Sequence, residues 1–225
     1  MDIIQTIGVT RSFPTPGGQP FMALKGIDMC APQGKLTILK GRSGSGKTTL
    51  MNILGALDKP TSGQVLFEGT DIAGMDEHRR AKLRRKNIGF VFQSVALIPM
   101  MNAYENVEYA LRLSKYKGNY RERVLECLKM VGLGQRVQHM PQEMSGGEQQ
   151  RVAIARAIAH RPRVIFADEP TAELDTNTGL QVVKIFKELN EREGITIIMT
   201  THDTGLMEIG DRVYELQDGE IIHAE

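Results

Sequence analysis

Short, largely apolar runs alternate along the chain with segments whose apolar residues recur about every 3.6 positions. Residues 36–39, 164–167 and 195–199 form such runs, and their length is typical of buried strands. The segment between the last two runs carries one apolar helix face, formed by Val182, Val183, Phe186 and Leu189. Strands that alternate with helices predict an α/β fold whose mostly parallel sheet is covered by helices on both faces.

The N-terminal part of the chain has a different pattern. Residues 1–40 read as short β segments around a turn-rich break at 14–20, and residues 65–67 read as a further strand. We therefore predict a β subdomain at the N-terminus.

The central part of the chain is mostly helical in pattern between 95 and 159. Apolar residues recur with a spacing near 3.6 at 102–113 and 120–130. We predict one domain over 1–225, with a helical subdomain inserted at about 95–160.

Composition and charge narrow the function classes. A formal net charge of +1 over 225 residues gives no general attraction for nucleic acid. We expect no membrane-spanning segment, because the apolar runs are far shorter than the roughly 20 residues a membrane helix needs. The N-terminus also lacks a basic-then-apolar leader pattern. Cys30 and Cys127 are far apart and outside any C-x-x-C pattern, which favours a reducing cytosol over a disulfide framework.

A glycine-rich motif follows the first buried run. Residues 41–48 read G-R-S-G-S-G-K-T and fit G-x-x-x-x-G-K-[ST], before a helix predicted at about 47–57. Glycines let backbone N–H groups curl around phosphate oxygens, and the helix N-terminus adds partial positive charge. Lys47 is placed for the β- and γ-phosphates and Thr48 for Mg²⁺; a Gly/Ser-rich turn without a ligand is the alternative. The candidate nucleotide ligands are Gly41, Ser43, Gly44, Ser45, Gly46, Lys47, Thr48 and Thr49.

Two adjacent acids end the second buried run. Asp168 and Glu169 directly follow residues 164–167, and two carboxylates at a buried strand end are costly unless a cation or substrate uses them. In nucleotide hydrolases the first acid belongs to the Mg²⁺ shell. Glu169 is then placed to orient and polarise the attacking water. The alternative is a strand end capped by solvated acids.

A Ser-Gly-Gly segment begins another helix. Ser145 and Glu148 fit the S-x-x-E capping box. The box does not explain Gly146 and Gly147 directly after the cap, where the helix propensity of glycine is poor. Bare amides at a helix N-terminus suit an anion.

These motifs, in this order, resemble those of the ABC ATPase family over essentially the whole chain. The M-S-G-G-E segment at 144–148 is similar to the family's signature motif L-S-G-G-Q, and 168–170 to the end of its Walker B strand. Residues 91–93, 172–175 and 201–203 resemble its Q-loop, D-loop and switch-histidine segment. The resemblance implies an ATPase that binds ATP and Mg²⁺ and has a P-loop NTPase core, an N-terminal antiparallel β subdomain and an inserted α-helical subdomain.

The resemblance also implies roles for single residues. In this family two nucleotide-binding domains pair head to tail, and each ATP is held by one copy's phosphate loop and the other copy's signature segment. Ser145, Gly147 and Glu148 would contact the nucleotide across a dimer of two copies of the chain. The other implied contacts are Gln93 with Mg²⁺ or the attacking water, His202 with the γ-phosphate, Asp175 between the two sites, and Phe13 with adenine.

The departures from the family pattern remove no catalytic group. Met144 replaces the common Leu, which is a volume-conserving apolar change, and Glu148 replaces Gln. Arg42 stands where Pro or Asn is more usual, and we have no physical account of it. We therefore expect an active ATPase.

Further segments resemble the lipoprotein-release and macrolide-exporter branch of the family, the LolD/MacB group. They are an insert at 13–21, A-L-K-G at 23–26, F-V-F-Q-S at 90–94 and Y-E-N-V at 104–107. The resemblance implies that the chain drives a separate integral membrane permease and binds peripherally at the cytoplasmic face of the cell membrane. The alternatives are a non-transport envelope or cell-division complex, or a soluble ABC ATPase acting on ribosomes or DNA.

Each of two further segments is compatible with two interpretations. The apolar run 95–101 fits packing inside the helical subdomain or a groove for a partner's short cytoplasmic helix. Residues 78–86 contain six Lys or Arg, which fits nucleic acid or anionic lipid. For the second segment we prefer a solvated helix face, because Asp76 and Glu77 precede it at a predicted helix start.

Overall fold

The N-terminal segments form one antiparallel sheet. In the computed structural model, which describes residues 1–202, 205 and 209–225, β1 (Asp2–Phe13) pairs with β2 (Phe21–Pro32) and with β4 (Ser62–Phe67). A two-residue strand, β5 (Thr70–Asp71), completes the order β2-β1-β4-β5. The predicted antiparallel arrangement is confirmed.

The strands at the N-terminus are longer than predicted. Both β1 and β2 have 12 residues, whereas we expected short segments. The hydrophobic pattern looked interrupted because register shifts in the pairing of β1 with β2 break the strict alternation of inward and outward residues. The loop 14–20 separates the strands, since its three prolines donate no ladder hydrogen bond.

Parallel strands carry the glycine-rich loop. Strand β3 (Leu36–Lys40) pairs in parallel with β8 (Thr196–Thr201) and with β9 (Arg212–Gln217). Strand β10 (Glu220–Ala224) pairs antiparallel with β9. Side chains 36–39 of β3 and all of β8 are buried, as expected for a strand covered on both faces.

The helix after the glycine-rich loop, α1, spans Lys47–Leu54. The prediction that it reaches residue 57 was wrong, because Gly55 is its C-cap and Ala56 has a φ of 57°. That left-handed conformation ends an α-helix.

The chain folds as two compact units, residues 1–84 with 196–225 and residues 85–195. In the second unit, β6 (Ile88–Val91) and β7 (Val164–Asp168) form a parallel pair. Its helices are α3 (Ala103–Ser114), α4 (Tyr120–Met130), α5 (Gly146–Ile158) and α6 (Thr176–Glu193). The helical insertion at about 95–160 stays a prediction.

The basic stretch 78–86 lies on α2 (Glu77–Asn87). His78, Arg79 and Lys82 are exposed, whereas Arg80 is buried and pairs with the carboxylate of Glu77. The exposed side chains agree with a solvated helix face. Within the described ranges, no helix combines the length and the apolar character needed to cross a bilayer.

Candidate functional site

The glycine-rich loop between β3 and α1 depends on close backbone packing. Gly41 has a φ of 153°, and a Cβ at this position would lie 2.3 Å from the backbone oxygen of Leu216. Gly46, the N-cap of α1, has a φ of 104°, and a Cβ there would lie 2.9 Å from the backbone oxygen of Ala23. The loop conformation therefore excludes a side chain at either position.

The polar groups of the loop suit an anion. The Lys47 side chain is buried, and its Nζ donates to the carbonyl oxygens of Gly41 at 2.8 Å and Arg42 at 3.1 Å. The ammonium therefore lies against the backbone of the loop. The buried Ser45 Oγ has no hydrogen-bond partner among the described residues. No side chain caps the N-terminus of α1. A buried hydroxyl without a partner and an uncapped helix start are both satisfied by a phosphate group.

The turn between β9 and β10 supports the loop. The backbone N–H of Gly219 donates to the carbonyl of Ser45 at 3.1 Å, and the Gly219 carbonyl accepts from the Lys25 N–H at 2.9 Å. Asp218 and Gly219 have φ values of 49° and 83°, as a tight hairpin turn requires. We did not predict this support, although the Asp-Gly pair is a known sequence signal for such a turn.

A cavity of about 420 Å³ lies beside the first half of the loop, lined by residues 41–45 and 215–218. Its lining includes Ser45 but stops before Gly46 and Lys47, so the cavity covers only part of the loop. We therefore place the phosphate site by the chemistry of the loop and not by this cavity.

His202, the predicted switch histidine, follows its strand at the same sheet edge as the loop. Lys40 of β3 pairs with Thr201 of β8 in parallel register. Gly41 and His202 are the next residues along these neighbouring strands, so both lie at the carboxyl edge of the pair. His202 is exposed. Asp203, the last residue of the predicted switch segment, lies outside the described residues.

Phe13, the candidate adenine contact, ends β1 and is 36% exposed. The guanidinium of Arg11 lies 4.5 Å from the centroid of its ring. Asp58, in the segment after α1, holds Arg11 through an ion pair of 2.9 Å. One ring face therefore carries a cation, and Phe13 is linked through Arg11 and Asp58 to the segment that follows the phosphate-loop helix.

The two adjacent acids lie at the end of β7 in the second unit. Residues 164–167 are buried, and Asp168 and Glu169 are half-buried. Glu169 has a φ of 44°, a conformation that non-glycine residues rarely adopt and that clusters at functional sites. The position of the acid is visible in the sequence, whereas its backbone conformation is not.

Gln93 lies near these acids by strand register. Val91 of β6 pairs with Ala167 of β7, so Gln93 and Glu169 each follow their paired residue by two positions. Gln93 is exposed. The predicted Q-loop and the end of the predicted Walker B strand therefore lie at the same edge of the β6–β7 pair.

A residue that we did not predict joins these two segments. The side chain of Gln150, on α5, is 1% exposed, and its Nε2 donates to the carbonyls of Phe92 at 3.4 Å and Pro170 at 3.0 Å. The signal in the sequence was a polar residue on a buried helix face, three positions after Gly147 and four before Ile154.

The predicted capping box at the start of α5 is confirmed. Ser145 Oγ accepts from the Glu148 N–H at 3.2 Å, and Glu148 Oε2 accepts from the Ser145 N–H at 2.9 Å. Hydrogen bonding from Ser145, with help from the charges of Arg136 and Arg151, holds the pKa of Glu148 below its ordinary value. Because its carboxylate caps the helix and pairs with Arg136 at 3.2 Å, a direct contact between Glu148 and nucleotide stays a prediction.

The two glycines after this cap differ in their surroundings. Gly147 is buried, and a Cβ there would lie 2.0 Å from Cγ2 of Thr178. Packing therefore already requires glycine at 147, which we had attributed to an approaching ligand. Gly146 is exposed, with only Leu174 near the position of a Cβ, at 3.9 Å, and it leaves the helix N-terminus open.

Asp175 is the N-cap of α6, where its side chain accepts from the Thr178 N–H at 3.1 Å. Hydrogen bonds from Thr178 hold the pKa of Asp175 below its ordinary value. The first unit thus carries the phosphate loop, His202 and Phe13. The second carries Gln93, the Asp168–Glu169 pair, the signature segment and Asp175.

Known proteins resemble this chain along nearly its whole length. Residues 24–172 match the model of the ABC transporter family. The uncharacterized ABC transporter ATP-binding protein MJ0796 of Methanocaldococcus jannaschii is 43% identical over 99% of this chain and 97% of its own length. The macrolide export ATP-binding/permease protein MacB of Syntrophobacter fumaroxidans is 44% identical over 98% of this chain but only 31% of its own length.

A solved structure also matches. It is the dimeric structure of a post-hydrolysis state of the cassette MJ0796 bound to ADP and Pi. The TM-score is 0.90 and the identity 42%, over 99% of this chain and 97% of that one. The predicted α/β cassette, with an antiparallel N-terminal sheet and mostly parallel strands, is therefore confirmed.

Proposed function

Because the chain belongs to the ABC transporter family and is an ATP-hydrolysing cassette of that family, we propose that it drives a separate integral membrane permease of the export, extrusion or lipoprotein-release type. The observation that carries this proposal is the match with MacB, whose name combines ATP-binding and permease functions while this chain covers 31% of its length. A chain similar to such a protein would act together with a permease. A peripheral position at the cytoplasmic face of the cell membrane follows from that partnership.

The segment 95–101 supports the docking of such a partner. The side chain of Asn106 fixes the backbone of this segment through hydrogen bonds. It accepts from the Ile98 N–H at 2.8 Å and donates to the Met101 carbonyl at 2.8 Å. Met100 is 85% exposed. A fixed backbone that presents apolar side chains suits a short amphipathic helix.

The residues of the first unit bind and orient ATP in this proposal. Backbone N–H groups of the loop surround the phosphates, and the ammonium of Lys47 turns from the loop carbonyls to the β- and γ-phosphates. Ser45 Oγ gains the partner that it lacks within the described residues. His202 donates to the γ-phosphate, and Phe13 stacks on adenine.

The second unit supplies the group that activates water. Glu169 orients and polarises the attacking water, and Gln93 contacts it from the neighbouring loop. Thr48, Asp168 and Gln93 would hold Mg²⁺, since hydroxyl, carboxylate and amide oxygens are the hard donors that this ion prefers. When bound, Mg²⁺ neutralises charge that develops on the phosphates.

Two copies of the chain form the proposed working unit. Ser145 and Gly147 of one copy complete the nucleotide site of the other, and Asp175 links the two sites. The solved structures of MJ0796 are dimeric, which supports pairing of two copies here. The open amide end of α5 beside Gly146 offers the partial positive charge that a γ-phosphate needs.

Co-purification tests the permease partnership. Tagged Glu169→Gln protein is purified from gently solubilised membranes with ATP and Mg²⁺, and the proteins that accompany it are identified. We expect a stoichiometric membrane protein with a large external domain. Ribosomes, nucleic acid or no partner would overturn the membrane assignment and leave the ATPase in place.

Two surface variants make this experiment specific. Met100→Lys should abolish co-purification while the ATPase rate of the isolated chain is unchanged. Ile222→Lys is the matched control, because Ile222 is 54% exposed but lies on β10, outside the segment 95–101. Equal loss of the partner in both variants would contradict docking at 95–101.

A further inference from the structure

The backbone of Glu169 adopts a conformation that its sequence context disfavours. Its φ is 44°, in the left-handed region that strongly favours glycine. Pro170 follows, and a proline biases the residue before it toward extended conformations. A residue in such a conformation keeps it only where neighbouring groups hold it. The peptide after Glu169 must therefore be held by other parts of the fold.

Gln150 makes a hydrogen bond at the required place. Its Nε2 donates to the carbonyl of Pro170, the residue directly after Glu169, and to the carbonyl of Phe92, the residue directly before Gln93. One side-chain amide therefore joins the segments that carry the proposed water-orienting groups. It does so from α5, the helix that begins at the signature segment.

The chemistry of this side chain argues against a simple packing role. Gln150 is 1% exposed, and its Oε1 is buried without a partner among the residues that the structure describes. A buried acceptor without a partner is destabilising, whereas an apolar side chain of similar size would fill the same space without that cost. The hydrogen bonds to the two carbonyl groups therefore explain why this position carries an amide side chain.

We infer that Gln150 is a positioning residue that holds Glu169 and Gln93 in register with the signature helix α5. The inference rests on the proposed function, in which Ser145 at the start of α5 contacts the nucleotide of the partner copy. Any shift of α5 on closure of the dimer would then reach the water-orienting residues through the Gln150 amide. Gln150 touches neither nucleotide nor water in this scheme.

Replacing Gln150 with Leu removes both hydrogen bonds and keeps the apolar part of the side chain. We expect kcat to fall by about tenfold or more, because small misplacement of reacting groups costs roughly a hundredfold in rate. The KM for ATP should stay within about twofold, since the phosphate loop is unaltered. The ATP-bound dimer should still form, as it should with Glu169→Gln.

Gln150→Glu tests the hydrogen bonds through the pH dependence of kcat, which would not change if Gln150 only filled space. The carboxylate places two acceptors against two carbonyls, whereas its protonated form donates one hydrogen bond. The ratio of variant to wild-type kcat should therefore rise as the pH falls. A ratio that stays flat with pH would contradict the positioning role.

Arg123→Met is the matched control for the loss of a buried donor that binds carbonyls of α5. Arg123, on α4, is buried and donates to the carbonyls of Ile158 and Ala159, at the opposite end of α5 from the signature segment. This variant should melt at a lower temperature but keep its kcat per folded molecule.

The outcomes separate this inference from the proposed function. If Gln150→Leu loses kcat only in proportion to its unfolded fraction, or keeps the wild-type kcat, the inference is wrong. If it instead raises KM and prevents dimer formation with kcat intact, Gln150 acts through the signature segment alone, which also overturns the inference. Near-normal turnover in Glu169→Gln itself would refute the proposed role of Glu169 in activating water, whatever the result for Gln150.

Discussion

Phe13 meets the physical requirements for stacking on a nucleotide base. Its ring is 36% exposed, and Arg11 lies 4.5 Å from its centroid on one face. Asp58 holds Arg11 in place, which limits the ring orientations available. A preoriented ring loses little entropy when a base stacks on it.

Phe13→Ala should weaken ATP binding about tenfold, because stacking of a base on an aromatic side chain contributes about 1–3 kcal/mol. Inorganic tripolyphosphate, which lacks a base, should bind the variant and the wild type equally. Calorimetric titration measures both affinities. Phe21→Ala is the control, since Phe21 pairs with Phe13 across the hairpin and is 58% exposed. Equal effects of the two substitutions on ATP would remove the special role of Phe13.

Single residues of the site differ in how far the sequence could predict them. The motif predicted Lys47 and the glycines, because phosphate binding requires those residue types at that spacing. The reason for Gly41 was out of reach, since the backbone oxygen that excludes its Cβ belongs to Leu216, far along the chain. Gln150 was missed for the same reason. Its partners, Phe92 and Pro170, are brought to it only by the fold.

Local sequence signals predicted the bounds of some helices and strands closely and those of others poorly. The predicted helix at 120–130 has the bounds of α4 (Tyr120–Met130), because an N-cap Asn precedes a clear apolar period. The length of β1 and β2 was underestimated, since strand pairing depends on a partner strand and tolerates the register shifts seen here. Which strands pair was not visible in the sequence beyond the general α/β pattern.

The capping box of α5 makes the stability of this helix depend on pH. Hydrogen bonding from Ser145 lowers the pKa of Glu148, so the ionised carboxylate stabilises the folded state. This contribution is fully present above the ordinary pKa of glutamic acid and is lost as the pH falls through the lowered value.

Glu148→Gln keeps an acceptor for the Ser145 N–H but removes the charge that pairs with Arg136. Its stability at neutral pH should therefore be lower than that of the wild type, and it should lose less stability as the pH falls. Glu148→Ala removes the hydrogen bond to the Ser145 N–H and should lose about 1 kcal/mol, the net contribution of a typical hydrogen bond. Urea unfolding at several pH values measures both effects. An alanine variant as stable as the wild type, or a glutamine variant with the full acid-side loss, would contradict the capping role.

At the scale of the whole molecule, the proposed working state contains two chains. The first unit carries the phosphate loop and His202, and the second carries the acids proposed to activate water and the signature segment. Each unit thus contains only some of the proposed site residues. In the proposed cycle, ATP-dependent pairing of two copies would supply the signature segment in trans, and a permease partner would respond to pairing and release.

The measurement that tests this account most directly is the mass of the Glu169→Gln protein in solution with ATP and Mg²⁺, determined by light scattering alongside its ATPase rate. The account predicts a persistent species of twice the 25.0 kDa chain mass and no measurable hydrolysis, because the nucleotide that closes the dimer is never consumed. Glu188→Gln, which neutralises an acid on α6 outside the site, should hydrolyse ATP and return to the monomer. A Glu169→Gln protein that turns over ATP at a near-normal rate, or stays monomeric with ATP, would contradict the account.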